Sequence, residues 1–179
     1  MNRSKHIAGL LSVLVLAAAT TGAPAQKSNR PGPSALSETY DTWTVQCANR
    51  TEGETTTQVC QMSQQLLQQE TGQRVMTFAI GRVGQENKAT LILPFGLRLS
   101  DGARIQVGEE DVASGSFSTC LPDGCFVELT LSDSVIKKLQ GAANATLMMT
   151  ANTGQPVKID VSLQGFTAAY QRLVALTGE

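Results

Sequence analysis

From residue 40 onward, apolar and polar side chains alternate over most of the chain, the period of strands with one buried face. Trp43, Val45 and Cys47 fall on one side of such a strand and Thr42, Thr44 and Gln46 on the other, so Tyr40 to Cys47 is expected to be extended. The next apolar positions lie in glutamine-rich sequence, Val59 to Gln69. Glutamine and leucine favour helices, but Cys60, Met62, Gln64 and Leu66 keep a period of two, and Cys60 has a cysteine partner to reach on a strand. A strand with a polar outer face is therefore expected. Arg74 to Val83 alternates again, with Met76, Phe78 and Ile80 together. Ala89 to Leu93 reads as a short buried strand stopped by Pro94, and Pro94-Phe95-Gly96 as a bend. Asp101-Gly102 is a turn signal before a strand holding Ile105 and Val107. Ala145 to Thr150 and Val157 to Leu163 form a hairpin around Asn152-Thr153-Gly154.

Two segments switch to helical spacing. Ser132 is placed to cap a helix of about two turns carrying Val135, Ile136 and Leu139 before Gly141. Phe166, Ala169, Tyr170, Leu173 and Leu176 mark a terminal helix over 166–176 that packs one face on the sheet. Eight or so short strands with no βαβ alternation predict a mainly β chain. The expected fold is an antiparallel β-sandwich with one short helix and a C-terminal helix.

The chain's first 38 residues change what the rest can do. Arg3, Lys5 and His6 precede an apolar run from Ile7 to Ala19, and Ala23-Pro24-Ala25 offers a signal-peptidase site before Gln26. The run is shorter than the roughly 20 residues a membrane span needs. The expected organisation is a signal peptide over 1–25 cleaved between Ala25 and Gln26, a flexible lead-in over 26–38 rich in proline and polar residues, and one domain over 39–179. Of the 14 basic and 15 acidic residues, Arg3 and Lys5 leave with the signal. The mature chain then carries a net charge of −3. His6 is the only histidine, so export also removes any Ser-His or Cys-His nucleophile and every histidine metal ligand. A mildly acidic balance gives no basic stripe for nucleic acid.

Cys47, Cys60, Cys120 and Cys125 are an even set, which in an exported chain points to disulfides. Leu121-Pro122-Asp123-Gly124 is a tight turn that sets Cys120 opposite Cys125 across a hairpin. Cys47 and Cys60 are then left to each other. The four-residue gap between Cys120 and Cys125 is not the two-residue gap of redox motifs, and neither pair has zinc-knuckle spacing.

Other candidate chemistry has a plainer structural reading. Trp43, on an alternating strand beside a bridged cysteine, belongs in the core before a ligand site. Glu109-Glu110-Asp111 lacks the spacing of a calcium loop and reads as a solvated acidic turn. Asn49-Arg50-Thr51 and Asn144-Ala145-Thr146 match glycosylation sequons but are expected to be incidental. Ser134-Val135-Ile136-Lys137 has Ser-x-x-Lys spacing in a short amphipathic helix, where the lysine faces solvent. No pair of carboxylates is singled out for glycoside cleavage.

The opening Asp41-Thr42-Trp43-Thr44-Val45-Gln46-Cys47, Cys60 in the next strand, Leu93-Pro94-Phe95-Gly96-Leu97, Cys120 with Gly124-Cys125, and Ser162-Leu163-Gln164-Gly165-Phe166 follow one another along the chain. In these features the sequence resembles the invasion-associated locus B family of small exported proteins from Gram-negative bacteria; Phe95 stands where leucine is commoner. The resemblance implies an immunoglobulin-like β-sandwich in the periplasm or at the cell surface. It brings an association of some members with entry into host cells, notably erythrocytes, and no catalytic site. The expectation is a non-enzymatic exported protein, with no cofactor or metal, that contacts a protein or envelope partner, including a host-cell surface. The alternative is a periplasmic binder of small ligands or glycans. Recognition is expected in two loops, Arg50 to Thr57 and Gly108 to Ser116.

Overall fold

The computed structural model describes residues 35–178. The signal segment, its cleavage point between Ala25 and Gln26, and residues 26–34 of the lead-in lie outside the described residues. Strands β1 (Ala35–Tyr40), β2 (Trp43–Glu52), β3 (Thr55–Leu67), β4 (Arg74–Val83) and β5 (Glu86–Leu93) follow one another as antiparallel neighbours. After a 3₁₀ turn at Leu99–Asp101 come β6 (Ala103–Val107), β7 (Glu110–Gly115), β8 (Phe117–Leu121) and β9 (Gly124–Leu131). Helix α1 (Asp133–Gln140), β10 (Asn144–Thr150), β11 (Pro156–Ser162) and α2 (Phe166–Thr177) complete the chain. One sheet has the order β1-β2-β3-β4-β5-β9-β8 and the other β11-β10-β6-β7. Every pairing within them is antiparallel, which is the sandwich the alternation predicts.

The strand registers align one inward row on each strand. Val45 lies opposite Met62, Met62 opposite Ile80, Ile80 opposite Ala89, and Ala89 opposite Leu129. These side chains share one core with Ile105, Leu147 and Val161 of the second sheet and with Phe166, Ala169 and Leu173 of α2. Trp43 is fully buried, its ring edge-on to Phe78 at 5.5 Å and to Phe166 at 5.1 Å. It is a core residue, as the alternation implied. The α1 cap is also in place: Val135 N–H donates to the Ser132 hydroxyl, and Ile136 and Leu139 are buried.

Three assignments need correction. Residues 35–38, expected in the flexible lead-in, belong to β1. Its inward row, Leu36, Glu38 and Tyr40, contains a charge, which hid the alternation. Residues 51–57, expected as a loop, continue β2 and β3 around a tight turn at Gly53 (φ +61°). Most of the Gly108 to Ser116 segment, expected as a recognition loop, is β7, paired along β6.

Candidate interaction site

β2 and β3 are longer than the sandwich they belong to. Their ladder runs from Thr44–Ser63 out to Glu52–Thr55, but β1 pairs with β2 only as far as Ala48, and β4 pairs with β3 only from Gln61. Residues 49–58 therefore form a two-stranded arm without a neighbouring strand on either side among the described residues. Every residue from Ala48 to Val59 is exposed. An isolated two-stranded ribbon is marginal in water, so something must hold this one. Cys47 and Cys60 lie opposite each other at its base, bonded and buried at 3% and 5% exposure. Thr51 and Thr56 join hydroxyls across it at 3.1 Å, and Arg50 faces Glu52 at 3.8 Å.

The face of the large sheet turned away from the core continues the arm's chemistry. Thr44, Gln46, Gln61, Ser63, Gln65 and Ala79 lie there beside Ser37 and Thr39, with no charged side chain among them. Thr77, on the same face, is buried and its hydroxyl has no partner. Near the start of β1, a groove of about 730 Å³ is lined in part by Ala48, Arg50, Val59 and Gln61.

The other candidates resolve into structure. Cys120 and Cys125 are bonded across the β8–β9 hairpin, opposite each other as the turn chemistry required. In the acidic segment, Arg104 and Gln106 hold Asp111 at 3.1 and 2.6 Å, and Lys138 pairs with Glu110. Those carboxylates are already engaged with α1 and β6. The Ser134 hydroxyl contacts Ser132 at 2.8 Å, within the cap of α1. Asn49 and Asn144 are both exposed, on the arm and at the start of β10. A surface cleft of about 470 Å³ lies between the β3–β4 loop, the end of β5 and the β8–β9 turn. Arg74 crosses it to the Asp123 carbonyl at 2.6 Å, and Phe95, 62% exposed, stands at its rim.

Of the segments that carried the family resemblance, the first and the last, around Trp43 and Ser162–Gln164, meet at one packing junction. Trp43 Nε1–H donates to the Ser162 carbonyl at 3.0 Å, and the Thr42 hydroxyl donates to the Gln164 carbonyl at 3.0 Å. The buried Gln64 amide donates to the Thr42 hydroxyl at 2.6 Å and to the Ser162 carbonyl at 2.9 Å. Next to this junction the Arg172 guanidinium grips the Glu38 carboxylate in two bonds of 2.7 and 2.9 Å, and the Tyr40 hydroxyl adds a third. These bonds, Arg172 first, hold the Glu38 carboxyl below its ordinary range.

A twice-bridged antiparallel sandwich, braced by a C-terminal helix and extended by one clipped hairpin arm, defines a small scaffold class. The model for the Invasion associated locus B (IalB) protein family matches residues 43–174, and the chain belongs to that family. It is 37% identical over 148 residues to an Invasion protein B homolog of Brucella abortus (strain 2308), covering 82% of this chain and 83% of that protein. Identity to Invasion protein B of Bartonella bacilliformis is 29% over 153 residues, 81% of this chain and 78% of that one. The crystal structure of invasion associated protein b from Bartonella henselae superposes with a TM-score of 0.70 at 27% identity, over 79% of this chain and 97% of that chain.

The composition of the arm was legible, but its form was not. Thr55-Thr56-Thr57 is β-branched and favours a strand, and that signal was outweighed by the polarity of the segment.

Proposed function

We propose that this protein is exported to the periplasm or cell surface and acts there by surface contact with a protein or envelope partner, without catalysing a reaction. The observation that carries the reading is the β2–β3 arm. It adds no side chain to the core beyond its base, yet a buried disulfide clips its two strands together there. Backbone that is ordered without contributing to burial costs conformational entropy, and display to a partner accounts for that cost. The two bridges fit an oxidising compartment. The Brucella and Bartonella relatives are named for invasion, and contact with a host-cell surface extends the same reading to this chain.

The test replaces Arg50–Thr57 with a short Gly/Ser turn and leaves Cys47 and Cys60 in place. The variant should keep the parent's thermal transition and lose binding to envelope or host-cell membrane fractions. A folded variant that binds as well as the parent removes the arm from the function. A turnover abolished by changing one carboxylate overturns the non-enzymatic reading.

A further inference from the structure

Sheet edges offer unpaired N–H and C=O groups to any passing strand, and natural proteins guard them with charges, proline, bulges or short length. The free edges among the described residues are guarded in this way, with one exception. β1 turns the charged Glu38 inward onto Arg172. β11 carries Pro156 and Lys158. β7 has a register irregularity, and Glu110 and Asp111 stand on it. β8 is five residues long, with a register shift between Phe117 and Thr119. On the β2 side of the arm stand Arg50 and Glu52. The β3 side, Thr55 to Val59, has no charge, no proline and no bulge.

The register tells which backbone groups that edge presents. Cys47 and Cys60 are directly opposite, with Cα atoms 4.0 Å apart, the close spacing of a pair that exchanges no backbone hydrogen bonds. Alternation makes Arg50–Thr57 a bonded pair and Asn49–Gln58 and Thr51–Thr56 non-bonded pairs. The hydroxyl contact across Thr51–Thr56 agrees with this close spacing. Thr56 and Gln58 therefore direct their N–H and C=O groups outward, away from β2. The β3–β4 ladder stops at Gln61–Gly81 although both strands continue, and Val59 and Val83 are 50% and 67% exposed beyond it.

We propose that this edge pairs with the same edge of a second copy, antiparallel about a two-fold axis at Thr57. That register sets Thr56 of each copy against Gln58 of the other, so the outward groups meet in four backbone hydrogen bonds. Thr57 meets Thr57 as a close pair, and Thr55 meets Val59. No like charges are opposed, and charged residues begin only at Glu54, where the arm turns. The occupant follows from this self-complementarity: the window is about five residues long, uncharged, and compatible with its own reversal. Head-to-head pairing also closes on itself, giving a dimer and not a fibre.

This inference goes beyond the contact reading above and is tested apart from it. Sedimentation equilibrium of the exported, oxidised protein, from micromolar to near-millimolar concentration, should show a reversible monomer–dimer equilibrium. Thr57→Lys and Gln58→Lys should abolish the dimer with unchanged circular dichroism and thermal transition, while Thr51→Lys on the other side of the arm should retain it. In the parent background, Thr57→Cys should give a covalent dimer under mild oxidation, and this arm does not depend on the lysine variants folding. A parent that stays monomeric throughout overturns the proposal. So does a dimer unchanged by both lysine variants, or a Thr57→Cys protein that forms no cross-link. Envelope binding measured on dilute, monomeric protein scores the contact reading separately, so the two can fail independently.

Discussion

Gly165 is packed against the backbone of Tyr40: a β-carbon at Gly165 would fall on the Tyr40 carbonyl oxygen, with the Asp41 side chain 3.0 Å away. Gly165 also has a φ of +81°, and Asp41 is itself left-handed at +50°. The β1–β2 turn and the start of α2 thus touch backbone to backbone, and α2 begins without a side-chain cap. Only glycine meets both the space and the angle. Gly165→Ala should destabilise the fold by roughly 2–4 kcal/mol, combining left-handed strain with overpacking. Urea denaturation of the two proteins measures it. A loss under about 0.5 kcal/mol, the range of ordinary surface substitutions, would show that the junction relaxes freely.

The same junction depends on Gln64, which sits in the apolar row of β3 but is polar. Its amide serves the Thr42 hydroxyl and the Ser162 carbonyl, and the latter also accepts from Trp43. Gln64→Met keeps the length and removes the donors. The expected loss is about 1–2 kcal/mol, the cost of losing the two hydrogen bonds to the Thr42 hydroxyl and the half-buried Ser162 carbonyl. Because both strands remain apolar-in, the far-UV spectrum should not change. A Met variant as stable as the parent would mean the amide contributes no net stability.

How far this was legible from sequence depends on where each side chain finds its partner. The alternation of Trp43, Val45 and Cys47, and of Met76, Phe78 and Ile80, reports burial directly, so these strands were readable, as were α1 and α2. The Cys120–Cys125 bridge was also readable, because Leu121-Pro122-Asp123-Gly124 is a local turn. β1 was not. Glu38 is inward only because Arg172, 134 positions later, receives it, and no local pattern carries that information. The arm was misread because alternation reports burial, and residues 48–59 are exposed on both faces. The acidic segment is exposed, as its charges suggest, but its strand form was hidden because Asp111 and Glu110 find their partners, Arg104 and Lys138, on other elements.

Glu38 and Arg172 give the fold a predictable response to acid. The folded carboxyl titrates below its ordinary value, so the folded state binds fewer protons than the unfolded chain across that interval. Its contribution is complete above the ordinary glutamate range and is lost as pH falls through the lowered folded value. Thermal transitions from neutral pH to strongly acidic pH should therefore fall more steeply for the parent than for Glu38→Gln, and the two curves should converge at the acid end. Parallel curves would show that the pair contributes nothing to linkage. Both side chains are about one-third exposed, so added salt should shrink the difference.

The two bridges should not be equivalent. Cys47–Cys60 closes 13 positions of chain and Cys120–Cys125 closes five. Loop entropy alone assigns about 3 kcal/mol to the first and about 2 kcal/mol to the second. Position widens the gap, because Cys47 and Cys60 belong to the buried core while Cys120 is exposed. Removing the first bridge with Cys47→Ala and Cys60→Ala also leaves the arm as an unclipped ribbon, which has no core of its own to hold it. That variant should lose more stability in urea than Cys120→Ala with Cys125→Ala. Its arm amides, from Asn49 to Gln58, should exchange with solvent much faster than the parent's, while amides of β4 and β5 remain protected. If arm protection survives without the bridge, the cross-strand hydrogen bonds hold the ribbon by themselves and the disulfide is not what keeps it displayed.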